Sequence, residues 1–259
     1  LPVRTGPSQR GISAVDAMGV LEKSMRIIAR FEKGEAVRFV SHLDIQRTFQ
    51  RAFRRADIPL AYSQGFNPHP QLSFATALSL GYTSEAEWFD VRLAQDMCPD
   101  AFRDAVNAAL PGGFRLLEAA AAAEGLPALT ALMAAASYTI RFFPAAASVA
   151  EGIEQAFYSM VQAPVYVEKR TKGGTKTVDI RPLVLDFKFS RPADDDSLSL
   201  SLFGVADAKG SLNVDLLLGA LASRCSCAFS YRVHRTAIYS ADGIVMPALP
   251  QDMKDFRKC

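Results

Sequence analysis

Cysteine, histidine and tryptophan are scarce in this chain of 259 residues, with four, three and one copies respectively. That scarcity removes several classes of protein. Cys225-Ser-Cys227 has a single intervening residue and no second ligand pair follows it, so the spacing of a zinc or iron–sulfur motif is missing. His42, His69 and His234 are too far apart in sequence to form a metal site without distant ligands, and no metal is expected. Cys98, Cys225, Cys227 and Cys259 are accordingly expected as buried, inert thiols. Long apolar runs are also missing, none approaching the ~20 residues that span a bilayer. The N-terminus shows no charged region followed by an apolar stretch and a small-residue cleavage site. A cytoplasmic location without a membrane partner is the expectation. Net charge is only +2, too mild to identify a nucleic-acid partner alone.

What is present describes a folded chain with room for two cores, since domains usually hold about 100 to 150 residues. Hydrophobic residues make up 49% and charged residues 22%, with 17 phenylalanines. The charge is unevenly placed. From Arg38 to Arg55 five arginines face Asp44 alone. From Val165 to Arg191 seven basic residues face Glu168, Asp179 and Asp186.

Residues 1–24 show no sustained period and read as a disordered tail or the remnant of a fusion junction. From Met25 the pattern becomes regular. Residues 25–31 and 36–40 are strand-like around the turn formers at 32–35. Ser41 starts a helix over 42–56, with Asp44 completing an approximate capping box. Ile45, Phe49, Ala52 and Phe53 share one face, and Arg47, Arg51 and Arg54 the other. Strands are expected at 72–75, 88–93 and 114–118, with a helix over 99–110. The alanine-rich stretch 119–136 reads as a linker containing one short helix. Strand, helix, strand, strand, helix and strand then return across 137–240, and a tail follows at 241–259.

The repeated order is that of tandem ferredoxin-like, split βαβ modules of the α+β class. Module 1 is expected over 25–120, a linker over 121–136 and module 2 over 137–240. Each antiparallel sheet carries helices on one face, and two such sheets leave a groove between modules. Open sheet faces with basic loops are a recurrent RNA-binding solution.

Within this frame the segment Gly65-Phe66-Asn67-Pro68-His69-Pro70 stands out. Pro68 and Pro70 fix their own φ and push Asn67 and His69 toward extended geometry, which predicts a stiff polyproline-like rail. Such a rail either presents Phe66 and His69 to a ligand or blunts a sheet edge against aggregation. Phe66 either stacks on a base or packs in the core. The arginine face of the first helix reads either as a phosphate contact or as a solvated surface. Lys172 and Lys176, around Gly173-Gly174, either bind phosphate or form a solvated hairpin tip. Asp179 and Arg181, two apart on an extended segment, point the same way and are expected to pair or to contact a partner.

Ser41-His42-Leu43-Asp44, Gly65 to Pro70, Ser73-Phe74 and Asp179-Ile180-Arg181-Pro182 together resemble the bacterial radical-SAM-linked domain of unknown function, over nearly all of Met25 to Tyr239. The resemblance implies an accessory module, fused or adjacent to a cobalamin-binding radical-SAM protein. The iron–sulfur cluster, SAM and cobalamin would sit in that partner and no cofactor in this chain, which lacks the CxxxCxxC loop that holds such a cluster. A more distant likeness is to the tandem ferredoxin-like CRISPR repeat-processing endoribonucleases, although their C-terminal glycine-rich loop is not found in Ser211 to Tyr239.

Three functions follow as expectations. The first is RNA or ribosome binding through Arg47, Arg51, Arg54, Gly65, Phe66, Asn67, Pro68, His69, Pro70, Lys172, Lys176, Asp179 and Arg181. The second is an endoribonuclease using His69 or His42 as general acid or base. The third is protein docking on the radical-SAM subunit through the rail.

Overall fold

The computed structural model describes residues 25–144, 146–171, 173–191, 197–225, 228–241 and 246. The tails expected at 1–24 and 241–259 lie almost wholly outside the described residues, as do Lys172, Cys227 and Cys259.

The first module runs through β1 (Met25–Lys33), α1 (His42–Arg55), β2 (Leu72–Phe74), β3 (Thr83–Leu93), α2 (Pro99–Ala109) and β4 (Phe114–Ala121). Its strands lie in the order β4-β1-β3, with β2 on the far side of β3. Residues 36–40, expected to continue a strand, enter a 3-10 turn at Glu35–Val37 instead. The reason is loss of partners: the pairing of β1 with both β3 and β4 ends at Lys33, and the amides of Val37 and Arg38 bond back to Gly34 O and Glu35 O. The helix α1 begins as its residues predict, Ser41 Oγ accepting the Asp44 N–H at 3.2 Å. Ile45, Phe49, Ala52 and Phe53 are buried on its inner face. Phe49 is the centre of this core, its ring centroid 4.7 Å from Phe31 and 5.2 Å from Phe89.

The second module comprises β5 (Met133–Phe143), α4 (Ala147–Met160), β6 (Tyr166–Thr171), β7 (Gly174–Asp179), β8 (Val184–Ser190), β9 (Leu198–Val205), α5 (Val214–Ala222) and β10 (Ser230–Ser240). Its order β10-β5-β9-β8 repeats that of the first module, and β6-β7 is a separate two-stranded ribbon inserted between α4 and β8. The expected alanine linker is shorter than its composition suggests. Ala119 to Ala121 belong to β4, and Ala134, Ala135 and Ala136 are fully buried in β5. Alanine has little intrinsic strand preference, so burial between neighbouring strands decides the conformation here.

The modules share one sheet. In place of two sheets flanking a groove, β3 and β10 run side by side in parallel, pairing His234 with Thr83 and Arg235 with Ser84. Alternation puts Ile27, Ala29, Phe31 and Phe89 against α1 and α2. Ile140, Phe142, Leu200 and Val233 pack in one core with residues of α4 and α5. Residues of those two faces meet at the Arg235–Glu87 pair, so the four longer helices cover the same side of the sheet. On the other side, Ile28 and Trp88 are buried under the crossover that carries α3 (Leu129–Leu132). Arg26 pins that crossover by donating to Leu126 O at 2.6 Å and Pro127 O at 3.1 Å.

Candidate functional site

The residues singled out by sequence do not form one constellation. Arg47, Arg51 and Arg54 are exposed on α1. Arg47 is already engaged, 3.0 Å from Asp44 Oδ1, and Ser41 followed by Arg47 holds that carboxyl below its ordinary pKa. The expected rail is a closed hairpin loop. Ser63 N donates to His69 O at 2.9 Å, Gln71 N to Ala61 O at 2.9 Å, and Tyr62 bridges to Pro70. Pro68 therefore lies within a loop whose tip is Gly65-Phe66-Asn67, with Gly65 at a φ of 125°. Phe66 is fully exposed at the tip instead of being packed in the core. His69 Nδ1 sits 3.0 Å from Ser63 Oγ and 3.3 Å from Asn67 O, while His42 lies half-buried against the Phe74 ring with Nε2 at 3.1 Å from Gln46 Nε2.

Asp179 and Arg181 make no ion pair with each other. Asp179 Oδ1 accepts the N–H groups of Val165 (2.8 Å) and Arg181 (3.0 Å). Arg181 donates its side chain to Val161 O, at the C-terminal end of α4, and to Val184 O. A guanidinium at the negative end of a helix is favourable. The motif thus ties the base of the β6-β7 ribbon to α4. Lys176 is exposed on that ribbon, directly opposite Lys169. Cys98 is exposed, against the expectation of a buried thiol, because it sits outside the first turn of α2.

Two other places gather chemistry that sequence alone did not assemble. The first is the helix-side seam between β3 and β10. Arg235, its side chain 8% exposed, donates to both carboxylate oxygens of Glu87 at 2.9 and 3.2 Å and stacks over the Tyr138 ring at 5.4 Å. Lys33, fully buried, donates Nζ to Arg38 O at 2.7 Å. Burial pushes the pKa of Lys33 down, as it does that of His42, and in both cases the Glu87 carboxylate opposes the shift. Tyr82 donates its hydroxyl to Asp215 Oδ1 at 2.6 Å, and burial, then that carboxylate, raise its pKa and keep the phenol protonated. Beside these groups a cavity of about 220 Å³ is lined by Tyr82, Tyr138, Lys169, Asn213, Val214 and Arg235 among others.

The second is the open face of the second module, on the opposite side of the sheet. Strand register aligns Lys188, Ser201, Thr139, His234 and Thr83 in one row across four strand pairings. Ser190, Ser199, Arg141 and Arg232 form the next. Both Arg141 and Arg232 lie over the exposed Phe143 ring, at 5.5 and 5.8 Å from its centroid. Asp186 lies beside Lys188, Glu85 lies 3.9 Å from His234, and Arg232 Nη1 is 3.1 Å from Glu35 Oε1 at the rim of this face. The signal for this face was the polar phase of each alternating strand. Only the register, with partners up to 151 residues apart, shows that the phases coincide.

Among the described residues no three His, Cys, Asp or Glu side chains converge as a metal cluster, and no helix is long and apolar enough to cross a membrane. No curated protein matches the sequence. Among solved structures, the chain is similar to part of a Cbf5-Nop10-Gar1 complex at 8% identity and a TM-score of 0.43. That likeness covers 82% of this chain and 48% of the other, so this chain spans about half the length of its structural neighbour. Residues 26–214 match the family described as an uncharacterized protein conserved in bacteria (DUF2344), and the chain belongs to that family.

Proposed function

We propose that the chain is an RNA-binding accessory module that reads single-stranded RNA on the open face of its second half. The observation that carries this reading is the pair of guanidiniums, Arg141 and Arg232, over the exposed ring of Phe143, beside rows of hydroxyls and Lys188. Cations track phosphates, hydroxyls reach base edges and 2′-OH groups, and an aromatic face accepts a stacked base. In the resemblance noted above, the partner is a cobalamin-dependent radical-SAM protein, which would supply the iron–sulfur cluster, SAM and cobalamin. The fully exposed Phe66, at the tip of a loop closed by backbone bonds, suits the docking of this module on such a partner, since a rigid aromatic loses little entropy on binding.

Anisotropy with a short fluorescent single-stranded RNA, titrated at several salt concentrations, tests the RNA reading. Affinity is expected to fall with salt at a log–log slope of about −2, for three phosphates at about −0.7 each. Phe143→Ala is expected to cost about 1–3 kcal/mol of binding. Absence of binding at low salt, or binding indifferent to Arg141→Ala, Lys188→Ala and Phe143→Ala, removes the proposal.

A further inference from the structure

We propose that the seam cavity binds a phosphate group carried by a small molecule. The cavity lies on the helix side of the sheet, so this inference is independent of the RNA reading. Arg235 is the first support. Its Nη1 and Nη2 groups meet Glu87 and Tyr138, yet its buried Nε–H has no acceptor among the described residues. A buried donor left without a partner costs stability, and Arg235 lines the cavity.

The second support is the start of α5. Asn213 and Val214 line the same cavity, and the Asn213 side chain is spent on the Leu216 N–H at 3.1 Å. The N–H groups of Val214 and Asp215, in the first helical turn, have no intrahelical acceptor, and such a turn favours an anion. The third is the ribbon. Lys169 lines the cavity, and Lys176 stands opposite it in register on the same ribbon face. Like charges directly across a strand pair repel, and an anion held beside them relieves that repulsion.

The nearby acids are already committed. Glu87 is paired with Arg235, and Asp215 accepts the Tyr82 hydroxyl. Ser79 and Ser211 also line the cavity, as does Thr76, whose hydroxyl donates to Ala77 O at 3.3 Å. Donors arriving from a guanidinium, a helix start, a lysine and two serine hydroxyls suit a tetrahedral oxyanion with several acceptors better than a planar carboxylate. A volume of about 220 Å³ limits the ligand to a small phosphomonoester or the free ion.

The test is an NMR titration of the full chain, following arginine Nε–H resonances with inorganic phosphate, and with chloride at matched ionic strength. One resonance, missing in Arg235→Lys, is expected to move saturably with phosphate and not with chloride. Lys169→Ala, at an exposed position outside the buried pair, is expected to weaken phosphate binding about tenfold. Arg115→Ala, at an exposed position on β4, is expected to leave it unchanged. A ribose 5-phosphate arm distinguishes a phosphomonoester, which binds more tightly than the free ion, from phosphate alone, which binds equally. The proposal is overturned if the Arg235 resonance stays put, if chloride moves it equally, or if Lys169→Ala has no effect. If Arg235→Lys fails to fold, Lys169→Ala alone decides, read by calorimetry.

Discussion

Glu87 is the residue on which the largest number of buried interactions depend. Its carboxylate meets Arg235, and it acts electrostatically on Lys33 and His42. Truncating one member of a buried ion pair leaves the other uncompensated, so Glu87→Ala and Arg235→Ala are each expected to cost about 3–5 kcal/mol, measured by urea unfolding. Glu87→Leu with Arg235→Leu is expected to recover most of that loss, because neither charge is then stranded. Equal, additive losses would refute coupling between the two. His42 adds a pH dependence. Burial lowers its pKa from the ordinary 6.5, so below that value the unfolded chain takes up the proton first. Stability is therefore expected to be full above pH ~6.5 and to decline as the pH falls from there toward the folded pKa. Urea midpoints across that range check it, with His42→Gln flattening the decline. At this scale the sequence was a poor guide. Glu87 and Arg235 stand 148 positions apart, and nothing local marks either of them.

Elements were far more legible than individual contacts. The span, cap and buried face of α1 all follow from residues within one helix, because capping and a 3.6-residue period are local properties. The same locality makes α5 testable. Removing the Asn213 cap by Asn213→Ala is expected to cost about 1 kcal/mol in chemical denaturation. Gly204 in β9 is a sharper case. A Cβ there would lie 2.5 Å from Leu212 Cδ2 and 3.2 Å from Leu183 O, so Gly204→Ala is expected to destabilise by about 1–3 kcal/mol, seen as a lower urea midpoint. The loop at 62–70 shows where local rules stop. Two prolines argue for an extended rail, but hydrogen bonds from Ser63 and Gln71 close the segment into a hairpin with Phe66 at its tip. Proline restricts φ and does not decide which distant backbone groups pair.

Across the whole molecule the parallel contact of β3 with β10 turns two repeats into one body. Trp88, the single tryptophan, is buried under the crossover between the modules, in one hydrophobic cluster with Leu129 and Leu132 of α3 and Met133 of β5. Urea unfolding followed by Trp88 fluorescence is therefore expected to coincide with far-UV circular dichroism in one transition. A separate first transition at Trp88 would show that the halves unfold independently. The sequence by itself determined the duplicated order of strands and helices and the inner face of α1, since periodicity and turn chemistry are written in neighbouring residues. Tertiary structure alone decided that the repeats share a sheet, that Arg141, Arg232 and Phe143 meet on its open face, and that a polar cavity lies at the seam. Each of these depends on which strands pair and in what register, and register is set by packing between segments far apart in sequence, such as those that pair Arg141 with Arg232 and Thr83 with His234.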